Sequence, residues 1–309
     1  MRVFVAGATG AIGRPLMRQL VAAGHEATGM TRSERKAEQI RDAGANPVVC
    51  DAFDAAALKG AVAAARPDVL VHQLTDLPKD WSMRYGYGAT SKLRSDVTRT
   101  LIDAATAAGA RRVVAQSVAF IYAPTGDMVK AEDAPTLRGG GGAFGEAVEA
   151  MLDLERQVTG AEGIDGLVLR YGFFYGPGTW YARDTKLADA VRKRRFPVVG
   201  EGAGVFSYIH VEDAASATVA AVERGAPGIY NVVDDEPAPM REWVPAIAGA
   251  LGARPPRRVP LWLARLVAGK NVAAMASEMR GASNAKARRE LGWEPRYSSW
   301  RQGFREGLG

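Results

Sequence analysis

Cysteine is nearly absent, with Cys50 the only one in 309 residues. An intrachain disulfide and a cysteine-built metal cluster are thereby excluded. Histidine is scarce too, and His25, His72 and His210 lie too far apart for metal-ligand spacing, so no metal site is expected. No apolar run approaches the roughly 20 residues that cross a bilayer, and mean hydropathy is −0.12. Residues Met1 to Gly7 carry one basic side chain and no cleavage site, and read as a core strand entering a glycine turn, not a signal peptide. Repeats and low-complexity tracts are also lacking. These absences lead to the expectation of a soluble cytoplasmic protein with no membrane partner.

What is present is ordinary globular material, 47% hydrophobic and 24% charged, enough for one large domain or two smaller ones. The net charge is +6 and the pI about 9.5. The densest basic run, Arg192 to Arg195, has no interleaved aromatics, which argues against nucleic acid. Attraction for an anionic cofactor is the simpler use of the excess charge.

The first two-thirds alternates strand-like and helix-like segments. Strands are expected at Arg2–Ala6, near Ala27–Met30, and at Pro47–Cys50, Asp68–His72, Arg112–Gln116 and Leu167–Arg170. Helices are expected between them at 14–23, 33–43, 55–65, 93–108 and 144–158. This alternation predicts an α/β fold, a Rossmann-type doubly wound parallel sheet, with a smaller C-terminal substrate-binding region. Residues 1–170 would form the nucleotide domain, with a strand returning near 228–233, and 171–309 mainly the substrate region. Gly139 to Gly142 lie in the long connection from Ala123 to Ala143, which reads as a mobile lid or as simple disorder.

The turn Gly7, Ala8, Thr9, Gly10, Ala11, Ile12, Gly13 stands between the first strand and the first helix. Small residues there let the backbone approach a pyrophosphate, and the helix N-terminus directs its N–H groups at the charge. At the end of the second strand, NAD-specific sites place a carboxylate on the ribose 2′-hydroxyl. This chain has Arg32 and Ser33 instead, suited to a 2′-phosphate, so NADP(H) is the expected cofactor.

Further segments complete a pattern: Val49 to Asp54, Ser117 to Tyr122, Leu169 to Gly178, Ile209 to Asp213, Tyr230 with Asn231, and Leu291 to Trp293. In this order, over nearly the whole chain, they resemble the extended short-chain dehydrogenase/reductase family, which includes the nucleotide-sugar epimerases and dehydratases. The resemblance implies that Asp51 and Ala52 approach the adenine and that Leu74 and Thr75 line the ribose. It also implies that Tyr171, Gly172, Phe173 and Phe174 flank the nicotinamide, with Ser117 beside the cofactor. Members often dimerise through the helices 93–108 and 144–158, so a homodimer is one expected assembly.

The departures carry as much information. Active members use a Ser or Thr, and a Tyr and Lys spaced Y-x-x-x-K, for proton transfer. Here Val118, Phe144 and Val148 fall at those positions, and Arg94 falls where a relay asparagine stands. Tyr87 and Lys92 are five residues apart, which turns them away from a common helical face. Ser117 is the retained hydroxyl, at the end of a strand where α/β ligands bind, and is the candidate catalytic residue. A structural hydroxyl, bonded to cofactor or backbone, is the alternative. His72 reads as a satisfied core histidine.

Three functions follow. One is an NADPH-dependent ketoreductase for a hydrophobic, aromatic polyketide-type substrate, its proton supplied by substrate, water or Ser117. Val118, Phe144, Phe174, Trp180 and Tyr181 would line that substrate. Another is a non-catalytic NADP(H)-responsive binding protein, and the third a nucleotide-sugar epimerase or dehydratase. That last chemistry suffers most from the missing tyrosine.

Overall fold

Strand β1 (Arg2–Ala6) is buried on both faces, and its alternation sorts two cores. Val3 and Val5 pack with Leu16 and Leu20 on one side, whereas Phe4 and Ala6 pack with Leu58 and Leu101 on the other. The computed structural model describes residues 1–77, 87–139 and 142–309. Around β1 lie α1 (Gly13–Ala22), β2 (Glu26–Thr31), α2 (Glu34–Asp42), β3 (Asn46–Val49), α3 (Ala55–Ala65) and β4 (Val69–His72). The chain continues through α4 (Gly88–Lys92), a π-turn (Leu93–Val97), α5 (Thr98–Ala107), β5 (Arg112–Val118), α6 (Gly142–Thr159) and β6 (Asp165–Tyr171). After an aromatic-rich excursion, α7 (Val211–Glu223) and β7 (Gly228–Val232) return to the sheet.

The seven strands are parallel, in the order β7-β6-β5-β4-β1-β2-β3. The direction in which successive strands are added reverses between β1 and β4, which opens a crevice at their C-terminal ends. The expected α/β architecture is therefore present. Helices α1 and α7 cover one face, and α3, α5 and α6 the other.

One expected boundary moves. The helix expected at Leu93 begins at Gly88 and widens into the π-turn. The Leu93 carbonyl accepts from the Thr98 hydroxyl at 3.2 Å and from His72 Nε2 at 3.3 Å, and this side-chain competition opens the turn.

Beyond the sheet, Phe173–Tyr175 pairs in parallel with Tyr208–His210. These strands enter a second core of Tyr175, Tyr181, Tyr208, Trp243, Trp300 and Phe304. The long connection after Ala123 is pinned where it is described. Leu137 N–H donates to Ile121 at 2.7 Å, and Val129–Lys130 pairs with Gly281–Ala282. Of the four-glycine segment, Gly140 and Gly141 lie outside the described residues. No described helix is long and apolar enough to cross a membrane.

Candidate active site

The crevice is built on the glycine turn. Gly7 has φ +98°, and a Cβ there would sit 2.8 Å from the Gln73 carbonyl oxygen. At Gly13 a Cβ would come within 2.3 Å of the Gly7 carbonyl oxygen, so only glycine lets α1 start this close to β1. No side chain caps α1 at Ile12, which leaves the helix N-terminus available to an anion.

Nine of the anticipated cofactor residues share one cleft. They are Gly7, Thr9 and Gly10 of the turn, Arg32, Ser33, Asp51 and Ala52 after the second and third strands, and Leu74 and Thr75 after the fourth. Ala11, Ile12 and Gly13 do not line it; Ile12 packs into the first core at 5% exposure. The lining also includes Lys36, Gln73, Asp76 and Leu93, which the sequence pattern did not single out. Lys36 was findable, since it stands in the first turn of α2 on the same rim as Arg32 and Ser33.

That rim has the chemistry of a phosphate site. Ser33 caps α2 with no side-chain bond to the helix, and Arg32 is largely exposed, 3.5 Å from Asp76. β2 ends in Thr31, not in a carboxylate. Gln73 gives its amide to the Tyr171 hydroxyl at 3.1 Å, while its buried Oε1 has no partner among the described residues. A cradle closed to Cβ atoms, an uncapped helix N-terminus, a basic rim and an orphaned acceptor fit a dinucleotide.

The catalytic end differs. Val118, Val148, Ile121 and Met151 form an apolar cluster with the partly buried Phe120 and Phe144. Phe120 stacks on Phe173 with centroids 4.5 Å apart. No side chain of that cluster can carry a proton. Ser117 is 1% exposed, and its hydroxyl donates to Glu155 Oε1 at 2.6 Å. Glu155 in turn holds Arg170 through two bonds of 2.8 and 2.6 Å. Burial works against the Arg170 charge, but the bonds from Glu155 outweigh it and raise its pKa. Ser117 is thus engaged by a buried ion pair, and it does not line the cleft. The structural alternative takes the form of a bond to a carboxylate.

The remaining anticipated residues disperse. The Tyr171 ring is buried below the cleft floor, its hydroxyl shared by Thr218 and Gln73. Burial pushes that phenol up to about 12, so it is neutral. Gly172 is pressed against Ser207, where a Cβ would meet the carbonyl oxygen at 2.6 Å. Phe174 packs on Tyr171 at 5.3 Å. Tyr181 is 7% exposed between Tyr208 and Trp243, in the second core. Trp180 packs partly against the same core.

His72 ends β4 fully buried, its Nδ1 accepting from Leu74 N–H and its Nε2 facing Leu93 and Thr98. Burial, with a smaller push from Arg94, lowers its pKa to about 4, so the ring is neutral. It is a satisfied core histidine.

Fold and cleft together define a doubly wound dinucleotide-binding protein. Residues 3–232 match the profile of the NAD dependent epimerase/dehydratase family, and the chain belongs to that family. It is 46% identical to a 3-diazoavenalumate denitrifying reductase from a Streptomyces species, over 98% of this chain and 99% of the relative. It is 28% identical to 4-hydroxy-2-methyl-3-oxo-4-farnesyl-3,4-dihydroquinoline-1-oxide ketoreductase from Stigmatella aurantiaca, over 96% of this chain and 92% of the relative. Among solved structures, a human epimerase family protein with NADPH superposes with a TM-score of 0.76 at 23% identity, covering 100% of this chain and 99% of that one.

Proposed function

We propose that this oxidoreductase uses NADPH to reduce a diazo group on a planar aromatic substrate, releasing dinitrogen. The observation that carries the reading is the pair Phe144 and Val148. A reductase without a tyrosine–lysine pair is best matched to a hydride acceptor that needs no acid. The Streptomyces relative, named as acting on a diazo compound, supports the same chemistry.

When bound, the cofactor supplies the hydride. A diazo carbon bears N≡N⁺; one hydride converts it to a diazene, Ar–N=N–H. The C–N and N–H bonds then break and N2 leaves, while the C–N electron pair stays on the ring carbon and takes up the diazene's own proton there. Cation plus hydride gives neutral arene and N2, so no proton enters. A carbonyl differs, because its hydride adduct is an alkoxide that must be protonated, and general acids typically contribute about 10²- to 10⁴-fold there.

The chain's own residues then have limited tasks. Gly7, Gly10 and Gly13 admit the pyrophosphate, and Arg32, Ser33 and Lys36 take the 2′-phosphate. Phe120, Phe144 and Phe173, with Val118 and Val148, offer an apolar wall to an aromatic ring and exclude water from it. Sugar-nucleotide epimerisation requires a proton to leave a hydroxyl, and this wall offers no base.

A second reading, reduction of a phenolic ketone of polyketide type with substrate or water as acid, has support from the relative named a ketoreductase. The test is direct. Purified protein with NADPH is given a 2-diazophenol, and NADPH loss and N2 release are followed together. One N2 per NADPH, above the protein-free rate, is expected. Oxidation by hydroxylated aromatic ketones alone transfers the function to the second reading. No oxidation by either panel leaves a nucleotide-binding protein.

A further inference from the structure

Buried charges are normally paired, and the catalytic end contains one that has no partner among the described residues. Arg94 is 7% exposed, yet its guanidinium has no hydrogen bond or ion pair among the described residues. Arg170, equally buried, shows the ordinary solution. It is clasped by Glu155 on two sides and bonds the Tyr122 hydroxyl and the Glu132 carbonyl. Glu155 feels Arg94 as well, but its oxygens are already occupied by Arg170 and Ser117. Two buried cations therefore share one carboxylate, and Arg94 is the surplus. Burial draws its pKa down to about 10, with weaker opposing pulls from Tyr87 and Glu155, so it remains charged at neutral pH.

Its position gives that surplus a use. Arg94 follows Leu93, which lines the cofactor cleft, and the π-turn holding both packs against α6. Phe144, Val148 and Glu155 lie at helical spacing along one face of α6. His72, at the C-terminal end of β4, also feels the Arg94 charge. The π-turn that carries Arg94 therefore joins the cleft lining to α6, near the strand ends where α/β proteins bind ligands. π-turns inside helices frequently mark such places.

We infer that Arg94 receives an anionic oxygen of the substrate, a phenolate or a carboxylate, and so positions the aromatic ring beside the cofactor. This rests on the reading of the site as one for an aromatic substrate. An apolar wall alone would accept a ring in many orientations, whereas one desolvated cation fixes which edge enters first.

The test uses an unreactive probe, 4-hydroxycinnamate, titrated into the full-length protein saturated with NADP⁺. Its methyl ester and its 4-methoxy ether distinguish the two oxygens. Arg94→Gln should weaken the parent probe about tenfold or more and leave NADP⁺ affinity within about twofold, with partial recovery in Arg94→Lys. Whichever blocked compound binds the wild type poorly identifies the oxygen, and that compound should be indifferent to Arg94→Gln. Because an unpaired buried charge is removed, the Gln variant should unfold at a denaturant concentration no lower than wild type. If it does not fold, Arg94→Lys carries the comparison, losing the planar fork but keeping the charge.

Equal binding of the parent probe by wild type and variant overturns the inference. So does failure of every probe to bind wild type, or an equal loss of NADP⁺ affinity. Failures of the two readings are separable. Arg94-dependent probe binding without diazo reduction discards the reductase and keeps Arg94. Diazo reduction with probe binding untouched by Arg94→Gln does the reverse.

Discussion

At the glycine-turn end of the cleft, the lining is backbone and polar side chains: Gly7, Thr9, Gly10, Ser33, with Arg32 and Lys36 on the rim. A few residues away, the wall is Val118, Phe120, Phe144 and Val148, and Arg94 is buried in the neighbouring π-turn. The first surface is closed to change by contact distances, since a Cβ at Gly7 or Gly13 would strike backbone. The second is assembled from interchangeable apolar side chains. Cofactor binding can therefore persist while the chemistry beside it is rebuilt.

The largest effect on cofactor binding should come from breaking the rigid end. Gly13→Val would place side-chain atoms within 2.3 Å of the Gly7 carbonyl oxygen, and should weaken NADPH by about a hundredfold or more in a fluorescence titration. Affinity near wild type would show that the turn is not the cradle.

Next is the ion pair beneath the apolar end. Glu155→Gln leaves Arg170 without its anion and should cost about 3–5 kcal/mol, read from urea midpoints. A cost below about 1 kcal/mol would mean the pair is not what fixes Ser117.

His72 sets a smaller, pH-dependent term. Its folded pKa is lowered to about 4 from 6.5, so the neutral ring's contribution is complete above 6.5 and is lost as pH falls through that window. At about 1.4 kcal/mol per pH unit, the loss reaches roughly 3 kcal/mol by pH 4. His72→Gln should flatten the stability profile there, and an unchanged slope would contradict the assignment.

The smallest effect concerns cofactor choice. Arg32 is largely exposed, so Arg32→Ala should weaken NADPH about tenfold, or about 1.4 kcal/mol, and leave NADH nearly unchanged. Equal affinities for the two cofactors in the wild type would remove the NADP reading.

The rigid end was the legible one. Gly7, Gly10, Arg32 and Ser33 declare themselves because strand, turn and helix follow one another within a short stretch, whereas Asp51 rests on the family resemblance. Residues that act through distant partners did not. The Leu93 π-turn depends on His72 and Thr98 together, and a helical pattern alone reads it as an ordinary helix. Ser117 stands where a ligand-facing hydroxyl belongs, but Glu155, thirty-eight residues on, claims it. Tyr181 lies in an aromatic-rich stretch that reads the same facing a cavity or a core. Only Tyr208 and Trp243, far along the chain, decide for the core. Arg94 was visible as a departure from the family's asparagine, but its lack of a partner among the described residues emerges only from the fold.

The central claim is hydride transfer without a side-chain acid, and a single-turnover pH profile tests it most directly. NADPH oxidation by an aromatic diazo compound would be followed between about pH 6 and about pH 9, in wild type and Ser117→Ala. The account predicts a rate constant that is flat with pH and changes by less than about threefold in the variant. A one-proton fall on the basic side that disappears in Ser117→Ala would make Ser117 the acid and contradict it.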